Sequence, residues 1–205
     1  MLYSLDTRDR IGKKYGYDGN AGSEADEFAF TEGIVIQNGE VVFQTPQGET
    51  KRWSAKGMRM RADCKLSAFK KSLFLPNICG LPIFRIDLIE ELRPWLGDQL
   101  QYFDMELTTK DAVTNDYKVA NITHTVQAYD LEKSDLSWWN EDKPYKSVSD
   151  IHRLVFRDDS CMGSLQIARE LFRTSTIVVT DEFKNWFEGR GINNLFYLRD
   201  FEVRA

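Results

Sequence analysis

The fold class follows mainly from the segment TSTIVVTDEFKNWFEGRGINNLFY, residues 174–197. Its first seven residues are rich in β-branched side chains and predict a strand, because such side chains suit a pleated sheet. Thr180 or Asp181 predicts the start of a helix, since a short side-chain oxygen accepts an unpaired backbone N–H there. Gly189 and Gly191 suit the end of that helix, where a left-handed backbone is needed. A second strand follows, so the stretch predicts a strand, a helix and a strand.

Earlier in the chain, three further runs are rich in β-branched and aromatic residues and predict strands. They are LQYFDMELTT at 100–109, DYKVANITHTVQAYD at 116–130 and IHRLVFRDD at 151–159. Helical spacing is brief in comparison. It predicts short helices at 66–73 and 164–172, and a helix from about Asp87 to Arg93 that Pro94 ends or kinks. Because regular helices do not separate the strands, we expect an α+β fold with a mixed or mainly antiparallel sheet and a few short helices.

The N-terminal third contains the clearest turn. In FAFTEGIVIQNGEVVFQT, residues 28–45, two apolar runs flank Asn38 and Gly39, which predicts a two-residue β-hairpin with a type I′ turn. The polar, glycine-containing residues 15–26 predict a loop. We therefore expect an N-terminal β-hairpin lobe over 1–65 and an α+β domain over 66–205, the two forming one continuous globular unit.

Composition places the chain among soluble globular proteins. It has 205 residues, of which 42% are hydrophobic and 29% charged, close to the usual globular mixture. The sequence has no apolar run long enough to span a membrane and no apolar signal-peptide core at its start. Three cysteines without CxxC spacing indicate neither a disulfide framework nor a thiolate metal site. We expect a cytoplasmic protein.

The sequence contains no recognisable catalytic or cofactor motif. Phosphate loops, the GxGxxG and GxSxG patterns, the HExxH pattern and calcium-loop spacing are all missing. The two histidines, His124 and His152, lie within predicted strands, and a pairing of Cys161 with His152 has no further support. We therefore expect no catalytic residue, no cofactor and no metal.

Charge is unevenly distributed along the chain, whose net charge is −5. Residues 51–71 carry eight Lys and Arg residues interleaved with Trp53 and Phe69, as a nucleic-acid surface could. Residues 81–150 carry 7 basic and 14 acidic residues. Each segment is also compatible with an ordinary solvated face. A nucleic-acid-binding regulatory protein that uses 51–71 is therefore the alternative function.

Several markers follow one another along residues 75–197: the Leu-Pro-Asn-Ile turn at 75–78, Asn121, Asp130 with Ser134, and the Val-Thr-Asp-Glu-Phe-Lys helix start at 179–184. In this order they resemble the immunity proteins of bacterial polymorphic-toxin systems, in a family first catalogued as a domain of unknown function. The resemblance covers about Leu75 to Tyr197. The resemblance implies a non-enzymatic inhibitor that binds a cognate toxin and blocks it.

The acidic segment around two adjacent tryptophans is our candidate for the toxin contact. Tryptophan is enriched at binding hot spots, and acidic side chains accelerate the capture of a basic partner. The sequence leaves two interpretations open: the tryptophans are exposed in an acidic loop between two strands, or they are buried against the sheet. The predicted partner-binding residues are Asp130, Glu132, Asp135, Trp138, Trp139, Glu141 and Asp142.

Overall fold

The structure is a computed structural model. It describes residues 1–6, 35–37, 40–44, 50–54, 58–62, 65–69, 71–75, 82–139, 141–142, 146–192 and 195–202. The first strands are β1 (Leu2–Asp6), β2 (Val35–Gln37), β3 (Glu40–Gln44), β4 (Thr50–Ser54), β5 (Met58–Arg61), β6 (Ile83–Arg85), β7 (Leu100–Thr108) and β8 (Val113–Thr114). The remaining strands are β9 (Tyr117–Ile122), β10 (Thr125–Val126), β11 (Asp135–Trp139), β12 (Ser147–Leu154), β13 (Ile167–Glu170), β14 (Arg173–Thr180), β15 (Phe196–Leu198) and β16 (Phe201–Glu202). The helices are α1 (Ile86–Leu96) and α2 (Asp181–Gly189), with short 3-10 turns at Leu66–Ala68, Gly97–Gln99 and Asp159–Met162.

A five-stranded sheet in the order β10–β13–β14–β1–β15 lies at the centre. Strand β1 is antiparallel to both of its neighbours, whereas β10 and β13 run parallel. Ile177 and Val179 of β14 belong to one apolar cluster, and Val178 between them belongs to another. Since successive residues of a strand face opposite sides, both faces of this sheet are covered. A sheet covered on both faces needs the uninterrupted apolar run that β14 supplies.

Helices α1 and α2 cover one face of the central sheet. As predicted, the Thr180 hydroxyl accepts a hydrogen bond from the Phe183 N–H, at 3.2 Å, and Gly191 follows the helix with φ of +69°. Phe183 and Phe187 are fully buried and stack with 4.4 Å between ring centroids. Trp95 of α1 stacks on Phe183 at 6.0 Å. Aromatic packing therefore joins the two helices to each other.

Helix α1 is longer than the sequence predicted. It continues through Pro94 to Leu96 and ends at Gly97, whose φ is +55°. Proline inside a helix removes one backbone hydrogen bond. Leu92 and Leu96, on the same side, are both buried in the apolar cluster, and this burial offsets the lost bond.

The other face of the central sheet is covered by a three-stranded sheet in the order β11–β12–β16. Two further sheets have the orders β2–β3–β4 and β5–β7–β9–β6, with β8 paired to β7. Apart from the parallel pairs β5–β7 and β10–β13, the strand pairs are antiparallel. The mixed, mostly antiparallel sheets and short helices confirm the predicted α+β class.

The predicted N-terminal hairpin is present as the pairing of β2 with β3. Gln37 lies opposite Glu40, which leaves two residues for the turn. The turn residues 38–39 and the predicted loop 15–26 lie outside the described residues. Strand β5 pairs with β7, and β1 pairs with β14 and β15. The division into a lobe over 1–65 and a domain over 66–205 stays a prediction.

Two predicted helices are wrong. Residues 66–73 form a short 3-10 turn over Leu66–Ala68, and 164–172 contain strand β13. The apolar positions of the second segment fit a helical spacing, but all four residues of Ile167–Glu170 are buried in the central sheet. A helix with one apolar face would leave Arg169 and Glu170 at the surface. Burial on both sides of the strand decided the structure here.

Arg169 and Glu170 both form hydrogen bonds mainly with backbone groups. Arg169 donates to the carbonyl oxygens of Ile122 and Thr174, at 3.3 and 2.9 Å. Glu170 Oε2 accepts hydrogen bonds from the Phe172 and Arg173 N–H groups, at 2.6 and 2.8 Å, and its Oε1 has no hydrogen-bond partner. Burial raises the pKa of Glu170 to about 7, although the nearby backbone N–H groups act in the opposite direction.

The pH dependence of stability tests this buried carboxyl. Between its ordinary pKa of 4.5 and about 7, the folded state keeps a proton that the unfolded state has lost, so the free energy of unfolding falls as pH rises. Glu170→Gln removes this titration while keeping an oxygen acceptor for the turn. Between pH 5 and pH 8, the free energy of unfolding of the variant should rise by about 2 kcal/mol relative to that of the original protein. Urea unfolding at both pH values measures it, and parallel pH profiles would contradict the assignment.

Candidate functional site

The predicted contact residues do not form an acidic loop. Residues Asp135–Trp139 form strand β11, which pairs with β12. Asp130 begins the turn before that strand, and Glu141 and Asp142 lie in the turn after it. The strand forms because Leu136 and Trp138, two residues apart, pack against the apolar cluster under the three-stranded sheet. The sequence analysis missed this alternation of buried and exposed residues, because the polar residues around Leu136 and Trp138 are also typical of a loop.

Asp130 is a turn residue. Its Oδ1 accepts hydrogen bonds from the N–H groups of Glu132 and Lys133, both at 3.2 Å, and its Oδ2 accepts one from the Lys133 ammonium at 2.7 Å. The side-chain hydrogen bond from Lys133 is the main cause that lowers the pKa of Asp130. The side chain of Asp130 is 17% exposed. It is therefore engaged within the turn, while Glu132 is exposed.

Ser134 fixes the same turn to strand β12. Its hydroxyl donates to the Val155 carbonyl at 3.1 Å and accepts from the Val155 N–H at 3.0 Å. Asn121, another marker of the family resemblance, is buried and accepts a hydrogen bond from Arg169 at 3.4 Å. The markers Asp130, Ser134 and Asn121 therefore hold the fold together.

Trp138 points inward and has its contacts within the protein. Its ring meets that of Phe172 edge to face, with 5.3 Å between centroids. The Lys146 ammonium lies 4.4 Å from the Trp138 centroid, which is a favourable cation–π distance. The alternative of burial against the sheet is thus realised for Trp138, which is half-buried.

Trp139 points to the opposite, outer face, and 65% of it is exposed. Residues on the same face of β11 alternate, so Ser137 and Asp135 share this side with it. Across the sheet, Trp139 lies opposite Ser147. Small neighbours leave the faces of the indole ring accessible. The adjacent acids Glu141 and Asp142 are exposed beside it.

The outer face is not uniformly acidic. Asp135 lies opposite Arg153, which in turn lies opposite Glu202 of β16. Ser137 lies opposite Asp150, and its hydroxyl is 3.0 Å from His152 Nε2. The predicted acidic residues are therefore distributed along β11 and its flanking turns, and the basic residue Arg153 lies beside them.

The described residues also enclose a cleft of about 440 Å³ between the first 3-10 turn, the start of α1 and β9. Arg85 and Asp87 form an ion pair in it, and Tyr117 donates to the Phe69 and Ser72 carbonyl oxygens. Neither histidine lines this cleft. The described residues contain no cluster of three or more side chains suited to hold a metal ion.

The basic segment lies in two separate sheets. Residues 51–54 belong to β4 and 58–61 to β5. Of its basic residues, Lys65 and Lys71 are exposed, and Lys56 and Lys70 lie outside the described residues. No helix within the described ranges is long and apolar enough to cross a membrane.

Comparison with known families identifies the chain. The sequence profile of the Immunity protein family (Imm11) matches residues 86–199, more than half of the sequence. The chain belongs to this family. The match confirms the resemblance, and within the Imm11 range lie α1, the central strands β13 and β14, α2, and the whole β11–β12 hairpin. No curated protein matches the chain.

Two features of this Imm11 protein escaped the sequence. The Phe172 ring was assigned to a helix, so its contact with Trp138 was not foreseen. Leu171 beside it is 48% exposed, although the helical pattern placed it on the apolar side. A predicted strand over 167–170, in place of the helix, would have been needed to place Leu171 and Phe172 correctly.

Removal of the Ser134 hydroxyl tests the structural role of the turn. Ser134→Ala leaves the Val155 N–H and carbonyl without their side-chain partner, so we expect a loss of about 1–2 kcal/mol in the free energy of unfolding. Ser147→Ala, at an exposed position of β12, is the matched control. Equal stability of the two variants in urea unfolding would contradict this role.

The two tryptophans should differ in their effect on stability. Trp138→Ala removes the packing against Phe172 and should cost about 2 kcal/mol. Trp139→Ala removes an exposed ring and should change the free energy of unfolding by less than about 0.5 kcal/mol. Urea unfolding of both variants measures the difference, and a larger loss for Trp139→Ala would reverse the assignment of faces.

Proposed function

We propose that this protein is an immunity protein that neutralises a cognate bacterial toxin by direct protein–protein contact. Membership of the Immunity protein family (Imm11) is the observation that carries the proposal. Such neutralisation needs no catalytic group, because a bound inhibitor can block a toxin by covering its substrate-binding surface. In this proposal the protein acts in the cytoplasm, without cofactor or metal.

The physical character of the chain supports an inhibitor of a basic toxin domain. Its net charge is −5, and its acidic excess falls within residues 81–150. Opposite potentials on two partners raise the rate at which they associate. Fast association matters for an inhibitor that must act before the toxin reaches its target.

We propose the three-stranded sheet and its flanking turns as the contact region. It carries the exposed residues Glu132, Asp135, Trp139, Glu141 and Asp142. The β11–β12 pair is covered on its inner side by the apolar cluster, so the outer side is held in place by a packed layer. A surface that is ordered before binding loses less conformational entropy on binding.

The alternative is a nucleic-acid-binding regulatory protein that uses residues 51–71. It predicts binding to DNA or RNA that weakens steeply with salt. Reversal of the charges of Lys51, Arg52, Arg59 and Arg61 would abolish that binding. The overall negative charge opposes it.

Co-expression with the product of the upstream neighbouring gene, which the proposal expects to encode the toxin, tests the proposal. Cells that make the toxin with this protein should survive, and the two proteins should elute together as a stoichiometric complex in size-exclusion chromatography. The toxin without this protein should kill the cells, which establishes that the toxin is active.

Cell death in the presence of well-folded immunity protein, with no complex, would contradict direct neutralisation. Salt-sensitive binding to nucleic acid that the four charge reversals abolish, together with that result, would favour the alternative.

A further inference from the structure

Two large aromatic side chains of the β11–β12–β16 sheet are exposed within the described residues, Phe201 to 36% and Trp139 to 65%. Trp139, on the outer face, is the most exposed of the large hydrophobic residues described. Trp138, its neighbour, is already packed against Phe172 and covered by Lys146. Exposure of a tryptophan ring to water costs free energy, and such rings are enriched where a partner covers them.

The surroundings of Trp139 indicate the chemistry of that partner. Glu132 and Glu141 are exposed in the turns before and after β11, and they attract cationic side chains. The indole ring attracts cations through its face. Within the described ranges this pairing occurs with Lys146 4.4 Å from the Trp138 centroid and with Arg190 3.4 Å from the Trp186 centroid.

We infer that Trp139 is the anchor of the toxin contact and that it inserts between Lys or Arg side chains on a basic surface of the toxin. This inference rests on the proposed function and deepens it. The acids in the turns before and after β11 form the polar rim of the contact, and Trp138 supports the strand from the inner side. The contact therefore separates a buried aromatic centre from a charged periphery, as protein interfaces commonly do.

Affinity measurement on the purified complex tests the anchor. Surface plasmon resonance measures the dissociation constant for the toxin domain with the original protein, Trp139→Ala and Trp139→Phe. We expect Trp139→Ala to weaken binding at least about 30-fold, the size of a hot-spot loss, and Trp139→Phe to restore part of it. Val113→Ala is the matched control, because Val113 is 57% exposed on a different sheet, and it should leave the affinity within twofold.

Charge reversal tests the partner's chemistry separately. Glu132→Lys with Glu141→Lys should lower the association rate constant about tenfold at low salt, and the difference should shrink at high salt. The control pair, Glu90→Lys with Asp98→Lys, makes the same change in net charge at exposed positions of α1 and the turn after it, on the other face of the central sheet.

The outcomes separate the two proposals. A tight complex of the original protein that Trp139→Ala leaves unchanged within threefold, or that Val113→Ala weakens equally, overturns the anchor but not the proposed function. A charge-reversed pair that binds at the original rate overturns the basic partner surface. Failure of the original protein to bind an active toxin overturns the proposed function itself.

Discussion

Coverage of the central sheet on both faces is the constraint on which the rest of the described fold depends. Ile177, Val178 and Val179 are successive buried residues, so neither side of β14 can meet water. The two helices cover one side and the three-stranded sheet covers the other. Burial of apolar surface on this scale is the main stabilising term in folding. The β11–β12 surface thus exists in its present place because the sheet beneath it needs a cover.

The sequence was most informative where local chemistry and tertiary packing agree. The Thr180 cap and the pairing of β2 with β3 were predictable because each rests on residues that are close in the chain. Strand β13 was not predictable in this way, since its burial depends on strands that are distant in the chain. Helix α1 passed its proline for a similar reason, because the burial of Leu96 is a tertiary effect.

For the candidate site, the residue types were predictable and their arrangement was not. Composition alone pointed to an acidic segment with two tryptophans. Which of Trp138 and Trp139 faces solvent depends on which of them contacts Phe172, and Phe172 lies in the turn between β13 and β14. Likewise, the Asp130–Ser134 marker carries no sign in the sequence that it fixes a turn through Val155. The family markers Asn121, Asp130 and Ser134 therefore have structural roles within the matched range.

The pairing of β11 with β12 is irregular, with shifts of register between Asp135 and Leu136 and between Ser137 and Trp138. Within the described residues, β11 pairs with no strand other than β12, so one row of its backbone groups faces outward. An outer strand that is flat and apolar invites other chains to add to it, and bulges and charged residues prevent this. The irregular strand with Asp135 at its start is therefore poorly suited to self-association.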